Sequence, residues 1–206
     1  FMDWWLVEKL VSSRTIAFFV IGDAQTGLGH VYRVLTLSDR LTHHELVFFA
    51  PPEADLAIQL LQERGHRVRV VPQNQFGEAL QEVKPALVIN DCLDTSEDFV
   101  RSVRVCGARV LHFEDLGPGA LLADRTINAL YGEDAERGAE ASSIVSGTSW
   151  CCLRDEFLDP PAPVRKTLQR VLLVFGGSDP SGLTRKVLQV VDASPDGRLE
   201  FQLSDS

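Results

Sequence analysis

Residues 16–41 read IAFFVIGDAQTGLGHVYRVLTLSDRL. The run 16–21 is short, β-branched and aromatic, and it ends at Gly22, which is the pattern of a buried strand. A polar turn, Asp23-Ala24-Gln25-Thr26, leads into Gly27-Leu28-Gly29-His30. Beyond it, Val31, Val34, Leu35 and Leu41 fall on one face of a helix, with Arg33, Asp39 and Arg40 away from that face. A strand, a glycine turn and a helix in succession make an anion site, because the first helical N–H groups lack partners and carry the positive dipole end. Gly27 and Gly29 carry no Cβ, so a ligand can approach the backbone closely. His30 stands at this opening, where the dipole favours a neutral imidazole that can accept a proton, making it a candidate catalytic base. Equally, Gly-x-Gly after a strand can be only a tight turn of a doubly wound α/β domain, and His30 only a helix cap.

The rest of the chain repeats this alternation. Strands are predicted at 45–50, 66–71, 86–90 and 109–113, with helices at 54–64, through Phe76 to Val83, and at 97–105. Gly65 and Gly107 punctuate two of the helix ends, and Pro85 a third. Alternating strands and helices imply a doubly wound parallel sheet, α/β in class, in which ligands bind beyond the carboxyl ends of the strands. Asp23, His30, Asn90, Asp91, Glu114 and Asp115 are expected at those ends, several of them as helix caps. Asp91 and Asp94 read as caps before they read as cation ligands. His66 reads as solvated and His43-His44 as a surface pair without a third metal ligand.

Residues 134–147 read as a polar surface excursion and WCCLRDEF, 150–157, as a compact strand. Asp159-Pro160-Pro161-Ala162-Pro163 is a proline-rich breaker. After it the pattern restarts, with a strand at 171–175, the turn Gly176-Gly177-Ser178-Asp179-Pro180, a helix at 183–191 and a strand at 199–203. The expected organisation is a helix over 1–14, a lobe over 15–158, a linker over 159–170 and the start of a second lobe over 171–206. Two full lobes need about 300 residues at ~150 each, so the second lobe is expected to be truncated in this chain.

The 206 residues are 45% hydrophobic and 24% charged, as in an ordinary globule. A net charge of −9 argues against general nucleic-acid binding, which rests on phosphate neutralisation. No apolar run reaches the roughly 18 residues of a membrane helix, and the opening FMDWWLVEKL lacks a cleavage pattern, so no signal peptide is read there. Cys92, Cys106, Cys151 and Cys152 show no metal or disulfide spacing and read as reduced, which fits a cytoplasmic protein. Phe1 precedes Met2, so the numbering need not begin at a natural start.

Five ordered segments carry a resemblance. They are Gly27-Leu28-Gly29-His30-Val31-Tyr32-Arg33 with Leu35 and Leu37; Asn90-Asp91-Cys92-Leu93-Asp94; and Phe113-Glu114-Asp115-Leu116-Gly117 with Ala123-Asp124 and residues 127–131. Residues 153–157, LRDEF, and 175–180, FGGSDP with Leu183-Thr184, complete the set. Together they resemble the spore-coat-polysaccharide and pseudaminic-acid-pathway UDP-sugar hydrolases, relatives of the MurG-like glycosyltransferases of GT-B fold. The chain is most similar to members fused to a cytidylyltransferase of the CMP-sialic-acid-synthetase type, in which a segment like Asp3 to Lys9 bridges the domains. The resemblance implies a Rossmann-like N-terminal lobe and a metal-independent hydrolase or transferase acting on a UDP-amino-sugar, with no cofactor. His30 is its implied catalytic residue, and Gly176, Gly177, Ser178 and Asp179 its implied nucleotide site. Asp23, Gly27, Gly29, Arg33, Asp91, Asp115, Asn128, Arg154 and Glu156 are the candidate substrate-binding residues. With a truncated second lobe, this chain alone is expected to be inactive. The alternative is a non-catalytic sugar-nucleotide-binding module that accompanies a cytidylyltransferase.

Overall fold

The computed structural model describes residues 15–23, 26–130, 143–159, 166–167, 170–175, 179, 181–192 and 200–203. The predicted helix over 1–14, with Trp4 and Trp5, lies outside the described residues, as do residues 131–142 and Gly176, Gly177 and Ser178.

Seven strands form one parallel sheet: β1 (Thr15–Val20), β2 (Glu45–Ala50), β3 (Val68–Val70), β4 (Leu87–Asp91), β5 (Arg109–Phe113), β6 (Arg125–Asn128) and β7 (Ile144–Ser146). Their spatial order is β3-β2-β1-β4-β5-β6-β7. The order reverses between β1 and β4, which pair with Phe19 opposite Asn90 and Val20 opposite Asp91. A crevice opens at such a reversal, and the loops after the two strands line it.

Helices cover both faces, because the central strands are apolar on both sides. Ile16, Phe18 and Val20 pack with Phe48, Leu87 and Ile89 under α1 (Gly29–Ser38) and α2 (Asp55–Glu63). Ala17 and Phe19 pack with Phe49 and Val88 under α3 (Phe76–Val83) and α4 (Glu97–Val105). The second layer is aromatic: Phe76 meets Phe19 at 4.6 Å, Phe49 at 5.1 Å and Phe99 at 5.3 Å between ring centroids. Ser96 begins α4 by accepting from the Phe99 N–H at 3.2 Å, and Glu97 and Asp98 suit the positive end of its dipole.

A second unit consists of β8 (Arg170–Leu173), α5 (Leu183–Asp192) and β9 (Glu200–Leu203), with β8 and β9 parallel in their own two-stranded sheet. The parallel α/β class and the repeat of the pattern after the proline-rich segment agree with the sequence.

Three expectations change. The stretch 150–157 is not a strand: short 3₁₀ turns at Thr148–Trp150 and Asp155–Phe157 flank an irregular segment. Its apolar residues pack from the side instead, with Trp150 and Cys152 against the α1 face of the core. Within the expected surface excursion, Ile144–Ser146 is the seventh strand, and it is joined by β6, whose four residues were not read as a strand. His66 is half-buried, with its ring 4.5 Å from that of Phe48, and this burial lowers its pKa.

Gly117 and Gly119 are fixed by packing. They hold the 3₁₀ turn Pro118–Leu121 against the start of α4, and Gly119 N–H donates to Thr95 O at 2.7 Å. A Cβ on Gly119 would stand 2.7 Å from the Ser96 and Thr95 carbonyl oxygens, which are backbone and cannot swing away. Gly119→Ala is expected to cost about 1–3 kcal/mol, the scale of overpacking. Urea unfolding would show it as a lower midpoint, and an unchanged midpoint would contradict this packing.

Candidate functional site at the strand-order reversal

β1 ends at Val20, and the chain turns through Asp23, whose Oδ1 accepts from Thr26 N at 2.8 Å. Gly27 then adopts φ +75° and α1 begins at Gly29. No side chain caps α1, and no acidic residue lies in its first turn. Positions where Gly27 or Gly29 would carry a Cβ face open space, with nothing within 4 Å. Among the described residues, nothing crowds the backbone at these two glycines.

His30 and Arg33 lie three residues apart, one above the other on α1, and so can share a partner. That partner is Asp91, the last residue of β4, which is completely buried. Nδ1 of His30 is 2.6 Å from Asp91 Oδ1. A carboxylate only accepts, so Nδ1 carries a proton, and in the neutral form of the ring Nε2 is the nitrogen with the lone pair. Arg33 Nε donates to Asp91 Oδ2 at 2.7 Å and Nη2 to Asp91 Oδ1 at 3.1 Å, a fork on both oxygens. Its third arm, Nη1, donates to Glu114 Oε1 at 3.2 Å. Burial alone would lower the Arg33 pKa, but the charge and hydrogen bond of Asp91, with Glu114 behind, raise it above the ordinary value. Arg33 is thus a fixed cation between two carboxylates.

The site differs from expectation at several residues. Asp91 is not a helix cap; it holds His30 and Arg33. Arg33 does not point away, since its head turns in to Asp91 and lies over the Phe113 ring, 5.6 Å from its centroid. Asp115 does not join this group. It is fully buried and accepts from Thr95 N at 3.1 Å and Gly117 N at 2.8 Å, with His112 Nδ1 2.9 Å away. Burial would raise its pKa, yet the contacts with His112, Thr95 and Gly117 outweigh it and hold the carboxyl below the ordinary value. Asp115 therefore ties the turn after β5 to the loop after β4. Asn128 Nδ2 reaches Asp115 O at 3.4 Å and belongs to the same framework.

Arg154 and Glu156 pair with each other at 2.8 Å, and Arg154 lies over the Tyr32 and Phe157 rings. Together with Tyr32, Thr36, Arg40 and Arg64 they line a pocket of about 240 Å³ on the outer side of α1, separate from the His30 cluster. Asp179 accepts from Leu183 N at 2.8 Å and Thr184 N at 2.9 Å, so its own carboxylate caps α5, and these bonds lower its pKa. The sequence did not single out Glu114 as a partner of Arg33, or His112 as a partner of Asp115. Glu114 was placed at a strand end, but its contact with Arg33, 81 residues away in sequence, leaves no local signal.

All four cysteines are free, and burial pushes the Cys152 thiol up to about 11. Among the described residues no three His, Cys, Asp or Glu side chains group as a metal site. Among them, too, no helix is long and apolar enough to cross a membrane.

Comparison with solved structures places this architecture. MurG of Acinetobacter baumannii superposes with a TM-score of 0.60 at 12% identity, over 94% of this chain and 68% of that one. The fold is MurG-like. No family model matches the chain. It is 30% identical over 189 residues to an uncharacterized protein of Methanocaldococcus jannaschii, covering 84% of this chain and 39% of the relative. It is 28% identical over 191 residues to the spore coat polysaccharide biosynthesis protein SpsG of Bacillus subtilis, covering 88% of this chain and 56% of SpsG. The chain thus spans between 39% and 56% of the length of these curated relatives.

Proposed function

We propose that this chain is the histidine-bearing half of a nucleotide-sugar enzyme of surface-polysaccharide or sialic-acid-like sugar biosynthesis. The carrying observation is the 2.6 Å contact between His30 Nδ1 and the buried Asp91 at the strand-order reversal. The similarity to SpsG, a spore coat polysaccharide biosynthesis protein, supports the biosynthetic setting, and the MurG-like fold is compatible with it. His30 Nε2 takes the proton from a water or an acceptor hydroxyl as that oxygen attacks the anomeric carbon. The bond from that carbon to the diphosphate oxygen breaks, and UDP leaves. Asp91 orients the ring and balances the imidazolium that forms, while Arg33 holds Asp91 in place. The open turn at Asp23, Gly27 and Gly29 receives the sugar or acceptor. The diphosphate is assigned to Gly176, Gly177 and Ser178 on the resemblance of that turn, while Asp179 itself caps the first amides of α5. A fused cytidylyltransferase is part of the proposal on the resemblance of the Asp3 to Lys9 segment alone.

The test is UDP release from a UDP-amino-sugar by the full-length gene product, with and without an acceptor. His30→Ala is expected to lose about 10²–10⁴-fold in kcat while remaining folded, the range of general-base catalysis. Turnover without acceptor assigns hydrolysis. Equal turnover by wild type and variant would sink the assignment and favour a binding module.

A further inference from the structure

Along β5 the side chains alternate, with Leu111 and Phe113 in the layer under α1 and α2, and Val110 in the layer under α3 and α4. Continued alternation would send residue 114 to the side of Val110. Glu114 instead adopts φ +52°, and its carboxylate lies on the α1 side against Arg33. Glycine occupies this left-handed region at lower cost than any acidic residue. The side chain is therefore what the position requires, and backbone outliers of this kind gather at functional sites. Once turned, the carboxylate is almost wholly buried. It accepts from Ala129 N at 3.0 Å on Oε1 and from Leu130 N at 3.4 Å on Oε2. Those donors follow β6, so Glu114 joins the exit of β6 to α1.

We propose that Glu114 is a positioning residue that fixes Arg33, and through it the Asp91–His30 pair; its effect on turnover rests on the reading of His30 as the base. Arg33 is divided between two carboxylates. Removing the Glu114 charge leaves Arg33 to Asp91 alone, which weakens the hold of Asp91 on a His30 imidazolium. His30 should then lose its proton at lower pH.

The test is an NMR titration of the His30 ring in the full chain, assigned by its loss in His30→Ala, in wild type, Glu114→Gln and Glu114→Gly. Glutamine keeps the shape and removes the charge. Glycine accepts the left-handed backbone, so at least one variant remains folded. The His30 midpoint is expected to fall in both variants, because a negative charge that favours the imidazolium has been removed. In turnover, kcat is expected to fall toward the roughly 10²-fold loss that a 1 Å misplacement can cause, with KM nearly constant. An unmoved His30 midpoint in the folded variants overturns the proposal. The titration reads the coupling without any turnover, so it stands apart from the outcome of the His30→Ala assay.

Discussion

Asp91→Asn is expected to lower turnover by about 10²–10⁴-fold and to weaken the fold at the same time. The amide can present a donor to His30 Nδ1 where the carboxylate presents only acceptors. The ring would then hold its proton on Nε2, the nitrogen assigned to the substrate, and could not act as a base. The same exchange in serine proteases costs about 10⁴ in kcat for this reason. Asp91 is also the common partner of His30 and of two Arg33 nitrogens, at 0% exposure. Breaking a buried pair by removing one partner typically costs about 3–5 kcal/mol, and Glu114 remains to compensate Arg33 in part. Turnover and urea unfolding of one variant measure both effects. A variant with wild-type kcat would remove Asp91 from the mechanism.

Phe76→Ala is expected to cost about 3–5 kcal/mol without touching the His30 cluster. Phe76 opens α3, is fully buried, and contacts Phe19, Phe49 and Phe99. Its ring is stacked on Phe99 with 8° between planes and is tilted or edge-on to the other two. Removing it leaves a cavity walled by three rings that side-chain rotation cannot fill. The loss appears as a lower denaturant midpoint with an unchanged slope. A cost below 1 kcal/mol would mean that the α3 layer can collapse around the gap.

The scaffold was legible wherever one local rule applied. Apolar runs such as AFFV and LVI announced β1 and β4, because strands buried on both faces are apolar throughout. The limits of α2 and α3 followed from Gly65 and from Pro85. β6 and β7 were missed, since four and three residues with Thr, Asn and Ser among them carry no distinctive period. The segment 150–157 misled for the converse reason, an apolar run that packs without pairing. His30 stood out because its glycine turn is local. Asp91 was expected at the same strand ends, but its contact with His30, 61 residues away, was not, because a carboxylate there also reads as a cap. Glu114 depends on one backbone angle that composition cannot encode.

The central claim is that His30 and Asp91 act as one unit. A double-mutant cycle in kcat/KM for UDP release measures this directly, with wild type, His30→Ala, Asp91→Asn and the double variant compared in one assay. Residues that act as a unit are strongly non-additive. The double variant is expected to turn over at about the rate of His30→Ala alone, because Asp91 has no catalytic role without the ring it orients. Losses that multiply in the double variant would contradict the account.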